Sequence, residues 1–155
     1  MSHLQTLLWL CTAAYGVHVI EEYIFDWKNW AQQVLHLPAR WDEFYLTNCL
    51  VMIVGITCVF IAPEYPAVAL GMPGLMIING IFMHIFPFVR KRGRFSPGLI
   101  TSVLFFLPLG VSTIMAARPD ARMVVIAFAV GAGLLATPIG FILLQQNRYF
   151  DQTRP

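Results

Sequence analysis

The sequence predicts an all-α integral membrane protein: five transmembrane helices, an interfacial amphipathic helix between the first and second, and a single polytopic domain over residues 1–155. Three observations carry this reading. Hydrophobic residues make up 58% of the chain and charged residues only 12%, about half of the roughly 25% found in soluble domains. Five apolar runs are close to the about 20 residues that a helix needs to cross a bilayer. The ten Lys and Arg residues also fall very unevenly between alternate connections. Such a composition disfavours a disordered chain, a secreted disulfide scaffold and a nucleic-acid binder. Ten basic against eight acidic residues leave a net charge of +2, too small a surplus to drive polyanion binding.

The first run, Leu4 to Ile24, has no basic leader segment and no small-residue cleavage site, so it reads as a retained span. Residues 25 to 43 follow. Trp27, Trp30, Ala31, Val34 and Leu35 recur there at helical spacing between Asp26 and Pro38, which predicts an amphipathic helix over about 26–37 in the interface. It reads as a tryptophan anchor or as a lid or ramp for lipid. The second run, Phe44 to Ala62, ends in Ala62-Pro63-Glu64-Tyr65-Pro66, whose two prolines mark a turn. The third runs from Pro66 to Val89 and stops at Arg90-Lys91-Arg92-Gly93-Arg94, an orientation signal with some attraction for anionic headgroups. The fourth, Pro97 to Ala117, opens with Ser96 as an expected N-cap and Pro97 in the first turn. Arg118-Pro119-Asp120 links it to the fifth, Ala121 to Leu144. Ala132, Ala136 and Gly140 make a small-residue stripe on that run, fitted to close packing within the chain or to a homo-oligomer seam.

Cytoplasmic loops accumulate Lys and Arg. Lys28, Arg40, Arg90, Lys91, Arg92, Arg94, Arg148 and Arg154 fall on one side of a five-span chain, and only Arg118 and Arg122 on the other. This places the N-terminus outside and the C-terminus in the cytoplasm. Cys11, Cys49 and Cys58 lie within apolar runs without metal-binding or redox spacing and read as small hydrophobes.

Ionisable side chains inside a span are costly and usually functional. Here they are His18, Glu21 and Glu22 in the first run and His84 in the third, with Asn48 and Asn79 as uncharged polar outliers. His18, Glu21, Glu22, Asn48 and His84 project to one level in the cytoplasmic half of the membrane, and Asn79 about 7 Å deeper. Glu21 and Glu22 flank His18 by about 60° and 40° on the helix, and Tyr15 continues the stripe. Two histidines with one or two carboxylates suit iron, zinc or manganese. His18, Glu22, His84 and Glu21 are therefore the expected ligands and, with the metal, the catalytic groups. Asn48, Asn79 and Tyr15 are expected around them, orienting water or substrate. Asn79 and His84 would diverge by about 140° on a regular helix, unless Gly80 and Pro87 distort it. The bland alternative has Glu21 and Glu22 snorkelling to pair with Lys28, Arg40 or Arg90.

The string His18-Val19-Ile20-Glu21-Glu22 in the first apolar run, with Asn79, His84 and Pro97-Gly98 further on, resembles the HXXEE-motif family of small membrane proteins. That resemblance implies a bacterial cytoplasmic membrane and supports the site residues. It implies no particular reaction.

No signal for a nucleotide, haem or flavin is present. The sequence thus leads to a membrane-embedded, metal-dependent enzyme acting on an apolar or amphipathic small molecule. A metal-free acid/base isomerase or hydratase using the glutamate pair, and a small proton-coupled transporter, are the alternatives.

Overall fold

A computed structural model describes residues 1–145 of the chain, and every regular element among them is helical. Helix α1, His3–Ile24, starts at a capping box in which Ser2 and Gln5 satisfy each other's backbone N–H groups. Helix α2 is short: Trp27–Trp30 continue into the π-helical Ala31–Leu35. Helix α3 is Trp41–Ile61, α4 Pro66–Arg90, α5 Leu99–Ala116, α6 Ala121–Leu135 and α7 Thr137–Gln145.

Helices α3, α4 and α5 are long and apolar enough to cross a membrane. At 22 residues α1 spans about 33 Å, but His18, Glu21 and Glu22 lower its hydropathy. The outside of the bundle is apolar, with Ile53, Phe60, Met115 and Val125 each more than 60% exposed, while Glu21, Glu22, His18 and His84 are buried. A polar interior under an apolar exterior is the arrangement that a lipid solvent favours.

The structure differs from the sequence reading in four places. The fifth apolar run, expected as one span to Leu144, breaks at Ala136 into α6 and α7. Pro138 cannot donate an N–H to the Leu134 carbonyl, and the Thr137 hydroxyl takes that acceptor instead at 2.7 Å. The fourth helix begins at Leu99, not at Pro97. Its N-cap is Gly98, not Ser96, in a left-handed conformation with φ +94°. The segment expected as an amphipathic helix is helical, but Asp26 does not cap it through its side chain, and it closes in a wide π turn before Pro38. Its Trp30, Ala31 and Val34 pack with Ala39 into a small core of their own. Last, the stripe Ala132, Ala136, Gly140 is exposed. Close packing within the chain uses the adjacent pair Ala127 and Gly131, which meet Gly74 and Leu75 of α4 so tightly that a Cβ on Gly131 would overlap the Leu75 backbone. Arg148 and Arg154 lie outside the described residues.

Candidate metal centre

The three fixed residues of His18-Val19-Ile20-Glu21-Glu22 have separate tasks, because helical geometry points them apart. His18 and Glu22 are four apart and share a face; Glu21 turns toward a different neighbour. His84 of α4 completes the first group. Nε2 of His18 and Nε2 of His84 each lie 3.6 Å from Oε1 of Glu22. All three ligand atoms are within 4.8 Å of one another. Both imidazoles are fully buried and Glu22 is 6% exposed. The separation of 3.6 Å is close to the edge, about 3.4 Å, of a tetrahedron with bonds of about 2.1 Å.

The two Nε2 atoms have no hydrogen-bond partner, and the reason lies at the opposite ring nitrogens. Thr101 donates its hydroxyl to Oε2 of Glu21 at 2.6 Å, so its oxygen is free to accept from Nδ1–H of His18 at 2.8 Å. Ser96 donates to the Met83 carbonyl at 3.5 Å and accepts from Nδ1–H of His84 at 3.2 Å. The 2.6 Å bond from Thr101 to Glu21 assigns His18 the tautomer with a proton on Nδ1 and a lone pair on Nε2, and the Ser96 contacts are compatible with the same tautomer for His84. Two lone pairs and a carboxylate oxygen converge on one point, and these atoms can hold a cation.

Glu21, the fourth expected ligand, stands apart from this group. Its Oε1 accepts from the Gly98 and Ile100 N–H groups, both at 3.1 Å, and its Oε2 from the Thr101 N–H at 2.8 Å and the Thr101 hydroxyl. Helix N-termini leave unsatisfied N–H donors and a partial positive charge. A carboxylate delivered from α1 satisfies those of α5. Glu21 is therefore a positioning residue for His18, reached through Thr101. The alternative pairing of Glu21 or Glu22 with Lys28, Arg40 or Arg90 is not seen among the described residues; Arg40 pairs with Asp42.

Gly98 lies between the two imidazoles. A Cβ there would come 2.5 Å from Cε1 of His84 and 2.6 Å from Cε1 of His18. Only a residue with no side chain fits this position, and its positive φ has the same requirement. Beneath the rings, fully buried Phe106 packs against His18 at 4.2 Å and stacks on Tyr15 at 5.8 Å between centroids.

Two π segments shape this region, Gly80–Ile85 and Ser102–Phe106. Each is followed by a proline, Pro87 and Pro108, whose ring and missing N–H disfavour a regular turn. The first leaves the Met83 carbonyl to Ser96. It also changes the angle between Asn79 and His84, because residues five apart come into register on a π turn. Asn79 lines a cavity of about 250 Å³ together with Glu22, Tyr15 and Asn48, whereas His84 does not. Tyr15 donates to Oδ1 of Asn48 at 2.6 Å, and Asn48 donates to the Phe44 carbonyl at 2.9 Å. Of His18, Glu22 and His84, Glu22 is the one that borders the cavity.

Sequence reasoning missed Thr101 and Phe106, which are ordinary residues of an apolar run, and read Ser96 as a helix cap and not as the partner of His84. It also missed Glu43, read as part of a loop but buried in the first turn of α3.

These features define an all-helical protein with membrane-length apolar helices and a buried His/His/Glu cluster under a glycine turn. A family model described as a protein of unknown function with HXXEE motif matches residues 9–113. The chain belongs to that family, and its motif is His18, Glu21 and Glu22. No curated protein and no solved structure matches it.

Proposed function

We propose that this protein is a membrane-embedded metal enzyme acting on an apolar or amphipathic small molecule. His18, Glu22 and His84 bind a divalent transition metal (iron, zinc or manganese), and substrate reaches it from the cavity at Glu22. The observation that carries this reading is the pair of buried, unpartnered Nε2 atoms aimed at one carboxylate oxygen. Buried polar atoms are almost always hydrogen-bonded, and a carboxylate facing two lone pairs is electrostatically unfavourable until a cation joins them. Bound there, a metal acts as Lewis acid or activates a water or dioxygen. The largely apolar cavity supports a hydrophobic substrate.

In this reading α1 and the broken α6–α7 pair span the bilayer together with α3, α4 and α5, with the N-terminus outside. The protein then resides in a bacterial cytoplasmic membrane with the His/Glu site in its cytoplasmic half.

The test is metal content by inductively coupled plasma mass spectrometry on detergent-purified protein. Near one equivalent is expected in the wild type and none in His18→Ala or His84→Ala. A metal-free wild type purified without chelators, and unable to take up added zinc, manganese or ferrous iron, overturns the metal reading and leaves acid/base catalysis by Glu22 as the reading to pursue.

A further inference from the structure

The cavity beside Glu22 is lined by a second carboxyl group, on the neighbouring helix α3, that has no side-chain partner among the described residues. Glu43 in the first turn of α3 is 6% exposed and lines the cavity. Among the described residues it has no ion pair and no side-chain hydrogen bond, because the Arg40 guanidinium is held by Asp42 at 2.8 and 3.0 Å. One turn further, Thr47 also lines the cavity, and its buried hydroxyl has no partner. Among the described residues Ser102 is the other buried hydroxyl of this kind, and it does not line the cavity. Thr12, Thr57 and Ser112 each return their hydroxyl to the carbonyl four residues back, at 2.9, 2.8 and 2.6 Å, the ordinary recourse of a helical hydroxyl. The third member is Trp27 of α2, whose buried indole N–H also lacks an acceptor and whose ring packs on Phe44 at 5.7 Å.

These groups are complementary to one kind of ligand. An ionised Glu43 can only accept, Trp27 can only donate and lacks an acceptor, and Thr47 can serve as either. An anionic headgroup would meet the carboxyl groups of both Glu22 and Glu43, which line the same cavity. An ammonium group would satisfy Glu43 and leave the Trp27 N–H bare. A neutral hydroxyl donates and accepts at once. Below this polar level the wall is Val51, Leu75, Leu134 and Leu135, and Ile139, 62% exposed, carries the cavity to the outer apolar surface.

We infer that the cavity binds a neutral, hydroxyl-bearing amphipath, its hydroxyl held by Glu43, Thr47 and Trp27 and its apolar body lying between α3, α4 and the α6–α7 break. This rests on the reading of the cavity as the substrate site of the His/Glu centre and names the substrate class. The bundle level of Glu43 matches that of Glu22: α1 and α3 run antiparallel with Tyr15 paired to Asn48, Glu22 lies seven residues beyond the one and Glu43 five before the other, about 10 and 7.5 Å at 1.5 Å per residue. The hydroxyl end, not the chain end, is thereby the part presented to the metal ligands.

The test uses three decyl probes with the same photoreactive diazirine in the chain and an alcohol, a carboxylate or an ammonium head. Each is cross-linked to the full-length protein in lipid nanodiscs, and labelled residues are mapped by mass spectrometry. The alcohol should label the cavity wall at least tenfold more than the other two and be competed by unlabelled 1-decanol. The double variant Glu43→Leu, Thr47→Val should abolish that preference, and the milder Trp27→Phe should reduce it severalfold. Equal labelling by all three probes, or an alcohol preference unchanged in folded Trp27→Phe and the double variant, overturns the inference. Metal content measured on the same samples separates the two readings. Alcohol selectivity without metal defeats the metal enzyme alone, and metal without alcohol selectivity defeats this substrate class alone.

Discussion

Glu21 accepts the hydroxyl of Thr101 at 2.6 Å, across 80 residues of sequence. Because that contact turns the Thr101 oxygen toward Nδ1 of His18, the glutamate that caps α5 also sets which nitrogen of His18 is bare. The two glutamates of the motif thus act on opposite nitrogens of one imidazole. Folding and site geometry are coupled through a single carboxylate.

Glu21→Ala strips acceptors from three backbone N–H groups and one hydroxyl. Unsatisfied buried donors cost about 1–3 kcal/mol each, though water entering the space left offsets part. A loss of about 3 kcal/mol or more is expected, seen as a large fall in the thermal midpoint in detergent. Glu21→Gln should lie between Ala and wild type, since its amide end turns a donor toward donors. A midpoint within a degree of wild type for Glu21→Ala would refute the capping role.

Thr101→Val keeps the shape of the side chain and removes the oxygen that accepts from His18 Nδ1–H. Loss of such an orienting partner typically weakens a metal site 10–100-fold. A weakening in that range is expected for zinc, with Thr101→Ser close to wild type. Titration against a competing chelator measures it, and nitrogen-15 shifts of labelled histidine report the tautomer directly.

Gly98→Ala should be far more damaging than its single methyl suggests, since the Cβ meets both imidazoles and the backbone is left-handed. More than about 3 kcal/mol is expected from combined overpacking and strain. Gly133→Ala is the control: nothing lies within 4 Å of its Cβ, so in helix α6 it should be neutral or stabilise by up to about 1 kcal/mol. Paired thermal denaturation curves decide the matter.

The proposed topology, with the N-terminus outside, predicts opposite behaviour of two reporters. Alkaline phosphatase fused after Glu64 or Pro119 should be active, and a fluorescent protein fused after Arg92 should glow. Phosphatase activity at residue 92 would reverse the orientation.

Much of the fold was legible because hydropathy and helix period are local properties. The apolar runs, the breaks at Pro63 and Pro119 and the burial of His18, Glu22 and His84 all follow from which residues a lipid solvent tolerates at its surface. The face shared by His18 and Glu22 follows from a spacing of four. The resemblance of His18-Val19-Ile20-Glu21-Glu22 to its family was legible for the same reason, as a short string in one helix. Other features depend on which helices become neighbours. Glu21 looks identical to Glu22 in the sequence, and only the approach of the α5 N-terminus makes one a cap and leaves the other to face two histidines. Ser96, Thr101 and Gly98 carry no local mark of their roles, since a hydroxyl or a missing Cβ gains its meaning from the ring placed against it. The π turn between Asn79 and His84 arises where Pro87 meets packing constraints from adjacent helices. Local free energies determine helices one at a time; the site is made of atoms from three of them, and their convergence is settled by packing.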